Sequence, residues 1–460
     1  MTRLTFTLLF LLSGCVCIPD CEYASMNENT GLENVGFGQW PNSEWWKEFQ
    51  DPTLDHLIES SLAFSPTLKL AEARLKAAAE VTKERWSYLF PELAFDGNTN
   101  YEHFSKFGFF RSVAPTVPPV INDITLNLTY KWEIDFWGKN RDLLAAAVGE
   151  MDALAAEVEQ AKLILTSSIA YDYAELQFLL RKKQILEEKE YNERAILKVR
   201  SQREKNALDT ALVVLSAENG TLNVETQIAD LDQQILEHIH ELKALSGLGQ
   251  DAELDIELRP FKLAVSLPEN LPLDLIARRP DLAAQKMRVE AAAKRIGAAK
   301  TDFYPSVNLM GYAGLESIHW NKIFKVASFN GSLEPAIHLP IFTAGRIRAQ
   351  LMEKVAEFNE AVEQYNRLIL DAAQDVADRL SDILQIEKQM ALRQNSLEVL
   401  AKQEKLTRRR VEHALDDSIA LYNIQNNLLD TELLFAGLEY GKQLANILLI
   451  RSLGGGMHAP

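Results

Sequence analysis

The stretch Ile124-Thr-Leu-Asn-Leu-Thr-Tyr-Lys-Trp-Glu-Ile-Asp-Phe136 carries the architecture of this chain. Ile124, Leu126, Leu128, Tyr130, Trp132, Ile134 and Phe136 are apolar or aromatic, and every residue between them is polar. Successive side chains of a strand point to opposite faces, so the segment is a ribbon with one greasy face and one wet face. No helical period gives this alternation. The ribbon is long for a soluble strand and suits one that crosses a bilayer at a tilt. An antiparallel strand over a soluble core shares the pattern, so the choice falls to the neighbouring sequence.

The chain has 460 residues, 47% hydrophobic and 25% charged, the composition of a folded protein. Its formal charge of −17 argues against nucleic acid, whose phosphates are held by clustered Lys and Arg. It has no Gly-rich phosphate loop and no Gly-x-Ser-x-Gly elbow. His238 and His240 are two apart and do not share a helix face, and His338 reads as a residue of a wet strand face. The expectation is no enzyme, no metal and no cofactor.

Met1-Thr-Arg3 is a short basic start and Leu4 to Leu12 an apolar run too brief to span a membrane as a helix. Residues 1–14 therefore read as a signal peptide. Leu12-Ser-Gly-Cys15 resembles the lipobox of bacterial lipoproteins, which implies cleavage before Cys15 and lipidation of its thiol. Val16 stands where Asp would signal retention in the inner membrane, so the resemblance implies the outer membrane. Each acyl CH₂ buried in lipid contributes about 0.8 kcal/mol to anchoring. All three cysteines, Cys15, Cys17 and Cys21, lie here, so no disulfide framework holds the body together. A lipidated, extended segment is expected over 15–52.

The remainder is a duplication. Pro66-Thr-Leu68, Arg74, Ala77-Ala-Ala79 and Pro91 recur without a gap, 214 residues on, as Pro280-Asp-Leu282, Arg288, Ala291-Ala-Ala293 and Pro305. The first repeat, 53–250, carries strands at about 92–104 and 124–136 and a long helical hairpin over about 138–247. After a connection at 251–279, the second repeat, 280–453, carries strands at about 305–316 and 329–341 and a hairpin over about 345–452. The hairpins turn at Ala207-Leu-Asp209 and Ala414-Leu-Asp-Asp417. Asn219-Gly220 reads as a weak spot in a return helix, Pro335 as a lost ladder donor, and Gly454-Gly-Gly456 as the start of a flexible tail, 454–460. Four two-faced strands cannot close a barrel, which needs at least about eight, because open edges in lipid leave backbone groups unpaired. Neighbouring copies must complete it. The expected fold is mainly α with a transmembrane β-barrel: a trimeric twelve-stranded barrel continuous with a helical one.

Five stretches carry a family resemblance: Trp45-Trp46-x-x-Phe49-x-Asp51-Pro52, Trp132-Glu133-Ile-Asp135-Phe136-Trp137-Gly138, Arg278-Arg279-Pro280-Asp281-Leu282, Phe303-Tyr304-Pro305-Ser306 and Leu339-Pro340-Ile341-Phe342-Thr-Ala-Gly345-Arg346. They resemble TolC-like outer-membrane efflux channels, in particular the lipoprotein branch called NodT. The resemblance implies a homotrimer that docks a periplasmic adaptor, or membrane fusion protein, and through it an inner-membrane efflux pump. It implies passive conduction, with the helical tips closing the periplasmic end. Asp209, Leu415, Asp416 and Asp417 would form the gate and Arg408, Arg409 and Arg410 a candidate latch, with Ala207, Leu208 and Ala414 as tips touching the adaptor. The plainer alternatives are helix N-capping for the aspartates and a solvated face for the arginines. The family usually has Gly where Ala207 and Ala414 stand; Ala tolerates positive φ poorly, so either the tip geometry or the adaptor that reads it is expected to differ. A conduit for type I protein secretion and a periplasmic coiled-coil scaffold are the other functional readings.

Overall fold

The computed structural model describes residues 18–27, 40–254, 256–259 and 278–456. The elements run α1 (Pro52–Phe64), α2 (Pro66–Ser87), β1 (Glu92–His103), a short α3 (Phe109–Val113), β2 (Val120–Ile134), α4 (Lys139–Lys205), α5 (Ala211–Leu245), α6 (Pro280–Thr301), β3 (Ser306–Ser317), β4 (Phe329–His338), α7 (Arg346–Glu412) and α8 (Ser418–Ser452). The two repeats match in their two strands and three long helices. Helices α2 and α6 have 22 residues each, α4 and α7 have 67, and α5 and α8 have 35. The offset is 214 residues through β3 (306 − 92) and 207 from α7 onward (346 − 139), so the second repeat is shorter only in its strand region.

The chain divides into two compact units. One takes residues 74–154 and 285–365 with the described residues up to Met26; the other takes the described residues within 27–73, 155–284 and 366–460.

The first unit holds the sheet. Its order is β1-β2-β3-β4, antiparallel throughout. The register keeps the two faces apart across all four strands. Leu128 of β2 lies opposite Phe95 and Ala313, Leu126 opposite Gly97 and Leu315, and Trp132 opposite Leu309. Val307 faces Ile337, Gly311 faces Leu333 and Leu315 faces Phe329. On the other face Lys131 lies opposite Glu92, Asn127 opposite Asp96 and Glu133 opposite Asn308. A slip by one residue would turn every apolar side chain to the wet face, so this agreement fixes the pairing.

Strand β2 starts at Val120, earlier than alternation suggests, because Val120 and Ile121 pair with His103 and Glu102 although both are apolar. Strand β4 ends at His338, three residues short of expectation, just before Leu339-Pro340. Proline brings no amide donor to a ladder. Pro335 does lie inside β4, opposite Leu309, on an outermost strand where proline is tolerated.

The motif at the end of β2 is a strand-to-helix turn. The Asp135 carboxylate accepts from the backbone N–H groups of Asn140 (3.1 Å) and Arg141 (3.0 Å), satisfying donors at the start of α4. Trp137 stacks on Tyr304 at 4.8 Å and donates to the Pro305 carbonyl at 2.8 Å. Ile296, Leu351 and Val355 form a core against which Ile18, Cys21, Phe303 and Phe358 pack.

In the second unit Trp45, Trp46 and Phe49 are buried beside α1. Asp51 caps α1 by accepting from Thr53 N at 2.9 Å, and its other oxygen accepts from the Tyr173 hydroxyl at 2.6 Å. Arg279 pairs with Asp281 at 2.7 Å and donates to the Ser452 carbonyl at 3.1 Å, which serves the last turn of α8. That is the physical content of the Arg-Arg-Pro-Asp-Leu motif. Helix α5 runs unbroken through Gly220, where a Cβ would lie 3.1 Å from Glu193 Oε2. The flexible tail expected from Gly454 does not begin there. A Cβ on Gly454 would lie 2.2 Å from the Arg278 carbonyl, so the chain is packed there. Residues 457–460 lie outside the described residues, as do Cys15 and Cys17.

Candidate functional site

The candidate site is the pair of hairpin turns, both in the second unit. Each long helix ends in the same pair of backbone bonds. Leu208 N–H donates to the Arg203 carbonyl and Ala207 N–H to the Glu204 carbonyl, both at 2.8 Å. In the second repeat Leu415 N–H donates to Arg410 at 2.8 Å and Ala414 N–H to Val411 at 2.9 Å. This is the Schellman motif, whose pivot must be left-handed. The pivots are Ala207 at φ 57° and Ala414 at φ 55°. The tips therefore keep the geometry a glycine would give, carrying the strain of a Cβ, which corrects the expectation of a different tip geometry. Leu208 and Leu415 project outward, each 67% exposed.

The motif's arginine also clamps the tip through its side chain. Arg203 Nε lies 3.0 Å from Asp209 Oδ2, and Arg200 joins the same oxygen at 3.1 Å. Arg410 Nε lies 2.5 Å from Asp416 Oδ2. Adding the repeat offset of 207 to Arg203 and Asp209 gives Arg410 and Asp416, so one clamp is built twice. Burial draws the Asp209 carboxyl upward, but the hydrogen bonds from Arg200 and Arg203 outweigh it and hold it below the usual carboxylate range. The hydrogen bond from Arg410 does the same for Asp416.

Among the expected site residues, Asp417 alone caps a helix, accepting from Ala420 N at 3.0 Å; Thr210 occupies the equivalent position before α5. Asp417 also lies 3.6 Å from Arg203, so the two turns meet. Of the candidate latch, Arg410 holds an acid of the turn. Arg408 instead donates to Glu404 on its own helix at 3.1 Å, and Arg409 accepts through its carbonyl from His413 N. Arg200 and Arg203 were missed by the sequence reading. The signal for Arg203 was the same repeat offset, applied to charge rather than to apolar spacing.

With a two-faced sheet in one unit and clamped tips in the other, comparison with known proteins is direct. The model of the outer membrane efflux protein family matches residues 57–248 and 271–455. This chain belongs to the outer membrane efflux protein family. It is 29% identical over 470 residues to the multidrug resistance outer membrane protein MdtP of Shigella flexneri, covering 98% of this chain and 95% of that one. The crystal structure of the outer membrane protein VceC of Vibrio cholerae superposes with a TM-score of 0.82 at 29% identity, over 91% of this chain and all (100%) of that one. The CmeC outer membrane channel of Campylobacter jejuni gives 0.86 over 97% of this chain and 95% of its own, at an identity of 21% that speaks for the fold alone. The fold is thus that of an outer-membrane efflux channel, a β-barrel with a helical periplasmic extension, and the protein is an outer-membrane efflux component.

Proposed function

We propose that three copies of this chain form the passive outer-membrane duct of a tripartite efflux system. The observation that carries the proposal is the sheet: four strands in a register that keeps one face apolar and the other polar, with β1 and β4 outermost. Exposed strand edges in hydrocarbon cost several kcal/mol per unpaired group. Pairing β1 of one copy with β4 of the next removes them, and three copies of a 4-stranded sheet give 3 × 4 = 12 strands with a wet interior. The Arg203–Asp209 and Arg410–Asp416 clamps hold the tips in their closed form. Asp417 and the exposed Leu415 face the constriction, which excludes ions by dewetting and favours cations once wet. Ala207, Leu208 and Ala414, exposed at the turns, are the surface read by a periplasmic adaptor, which delivers solute from an inner-membrane pump. Cys15 carries acyl chains in outer-membrane lipid. The name of the MdtP relatives supports drug-like cargo.

The test is a deletion strain complemented with the intact gene and loaded with cationic, neutral and anionic dyes. Complementation should lower accumulation, most for cations. Unchanged dye levels with loss of a secreted protein on deletion would instead point to a protein-secretion conduit.

A further inference from the structure

Asp172 and Glu175 stand one turn apart on α4, and His238 and Glu241 one turn apart on α5. Side chains three apart share a helix face, so each helix presents two donors to the other. His238 Nδ1 lies 2.5 Å from Asp172 Oδ1, and His238 Nε2 lies 3.9 Å from Glu175 Oε1. Donor atoms of Asp172, His238 and Glu241 all fall within 4.8 Å of one another. Asp172 is only 4% exposed, yet its second oxygen, Oδ2, is buried with no hydrogen-bond partner. A buried polar atom in that state is costly. Burial is also the main reason its carboxyl is pushed up to about 6, against the opposing hydrogen bond from His238. The contact with His238 satisfies one carboxylate oxygen and leaves the other as it is. A cation between the helices would draw an Asp172 oxygen together with His238 and Glu241.

We propose that Asp172, His238 and Glu241 bind one divalent ion of the zinc class, clamping α4 to α5. The donor set selects the class. Magnesium and calcium favour oxygen ligands at higher coordination number, and Cu(I) favours sulfur; two carboxylates with one imidazole suit zinc. Three protein ligands and an exposed Glu241 leave the fourth position to water. Binding through Nδ1 leaves Nε2 3.9 Å from Glu175 Oε1, too long for a hydrogen bond here but near enough for that carboxylate to orient a liganding imidazole after a small side-chain movement. Bond lengths near 2.0–2.2 Å put neighbouring donors roughly 3.3 Å apart, so the Asp172–His238 contact opens by less than an ångström through side-chain rotation. Spacing along one helix could not reveal this site, because its donors come from two helices.

The experiment uses the full-length protein in detergent, without a polyhistidine tag, stripped with EDTA and titrated with Zn²⁺ by calorimetry. The wild type should take up one ion per chain. Asp172→Asn and His238→Ala should each weaken uptake by about tenfold or more, with unchanged helical content. No uptake by the wild type, or equal uptake by all three proteins, overturns the proposal. X-ray absorption of the wild type loaded with one equivalent is independent of how the variants fold. A four-coordinate shell with one imidazole supports the site; a six-oxygen shell overturns it.

Discussion

Replacing Ala207 and Ala414 with Gly should tighten both hairpin tips. Each alanine sits in the left-handed region, at φ 57° and 55°. An L-residue there costs roughly 1–2 kcal/mol, of which glycine gives back about 0.4–1 through its freer unfolded chain. The net gain is about 1 kcal/mol per tip, which corresponds to a factor of about five in a local opening equilibrium. Global melting of a membrane channel is a poor readout, because it is not two-state. The right assay is amide hydrogen exchange at Leu208 and Leu415, whose N–H groups close the motif onto Arg203 and Arg410. Ala207→Gly and Ala414→Gly should each slow exchange at their own tip about fivefold after correction for intrinsic rates. The other ends of the two hairpins provide the control. Gly247 and Gly454 occupy the same motif at φ 70° and 91°, but a Cβ there would lie 3.1 Å from Phe64 and 2.2 Å from the Arg278 carbonyl. Alanine at those positions should destabilise beyond the conformational term. Exchange at Leu208 and Leu415 that is unchanged or faster in the glycine variants would refute the strain argument.

Arg203→Ala combined with Arg410→Ala should raise resting conductance in planar bilayers several-fold at neutral pH; unaltered current would remove the clamps from the gate. Because Asp209 and Asp416 are held below the usual carboxylate range, their pairing is fully present above that range and is lost as pH falls through the depressed values. Wild-type conductance should therefore stay flat from neutral pH to about 5 and rise only in stronger acid, whereas a rise between pH 7 and 5 would assign the tips to another group. Leu128→Arg, on the apolar face opposite Phe95 and Ala313, should cost about 2–4 kcal/mol and reduce assembled protein on semi-native gels, while Asn127→Arg next door should be tolerated. Cys15→Ala should abolish fatty-acid labelling and leave folding intact; persistent labelling would show another acceptor.

The parts legible in sequence were those governed by a period. Alternation over Ile124–Phe136 gave the two faces of β2, and the absence of Pro and Gly after Gly149 gave a helix that runs to Lys205. The repeat offset located both turns. Where a period stops, so did the reading. Val120 and Ile121 join β2 by pairing with His103 and Glu102, a long-range contact that alternation does not encode. The left-handed alanines were misread because propensity counts only the cost of the conformation, and the turn's two backbone bonds outweigh it. Arg200 reaches Asp209 across a turn, and His238 reaches Asp172, 66 residues away on another helix. Neither distance is visible along one helix face.

The measurement that bears most directly on the channel is the mass of the detergent-purified protein by light scattering, taken with its single-channel current in a lipid film. Sealing of β1 against β4 between copies predicts a particle of three chains with discrete conductance steps. A stable single chain that passes no ions would contradict it.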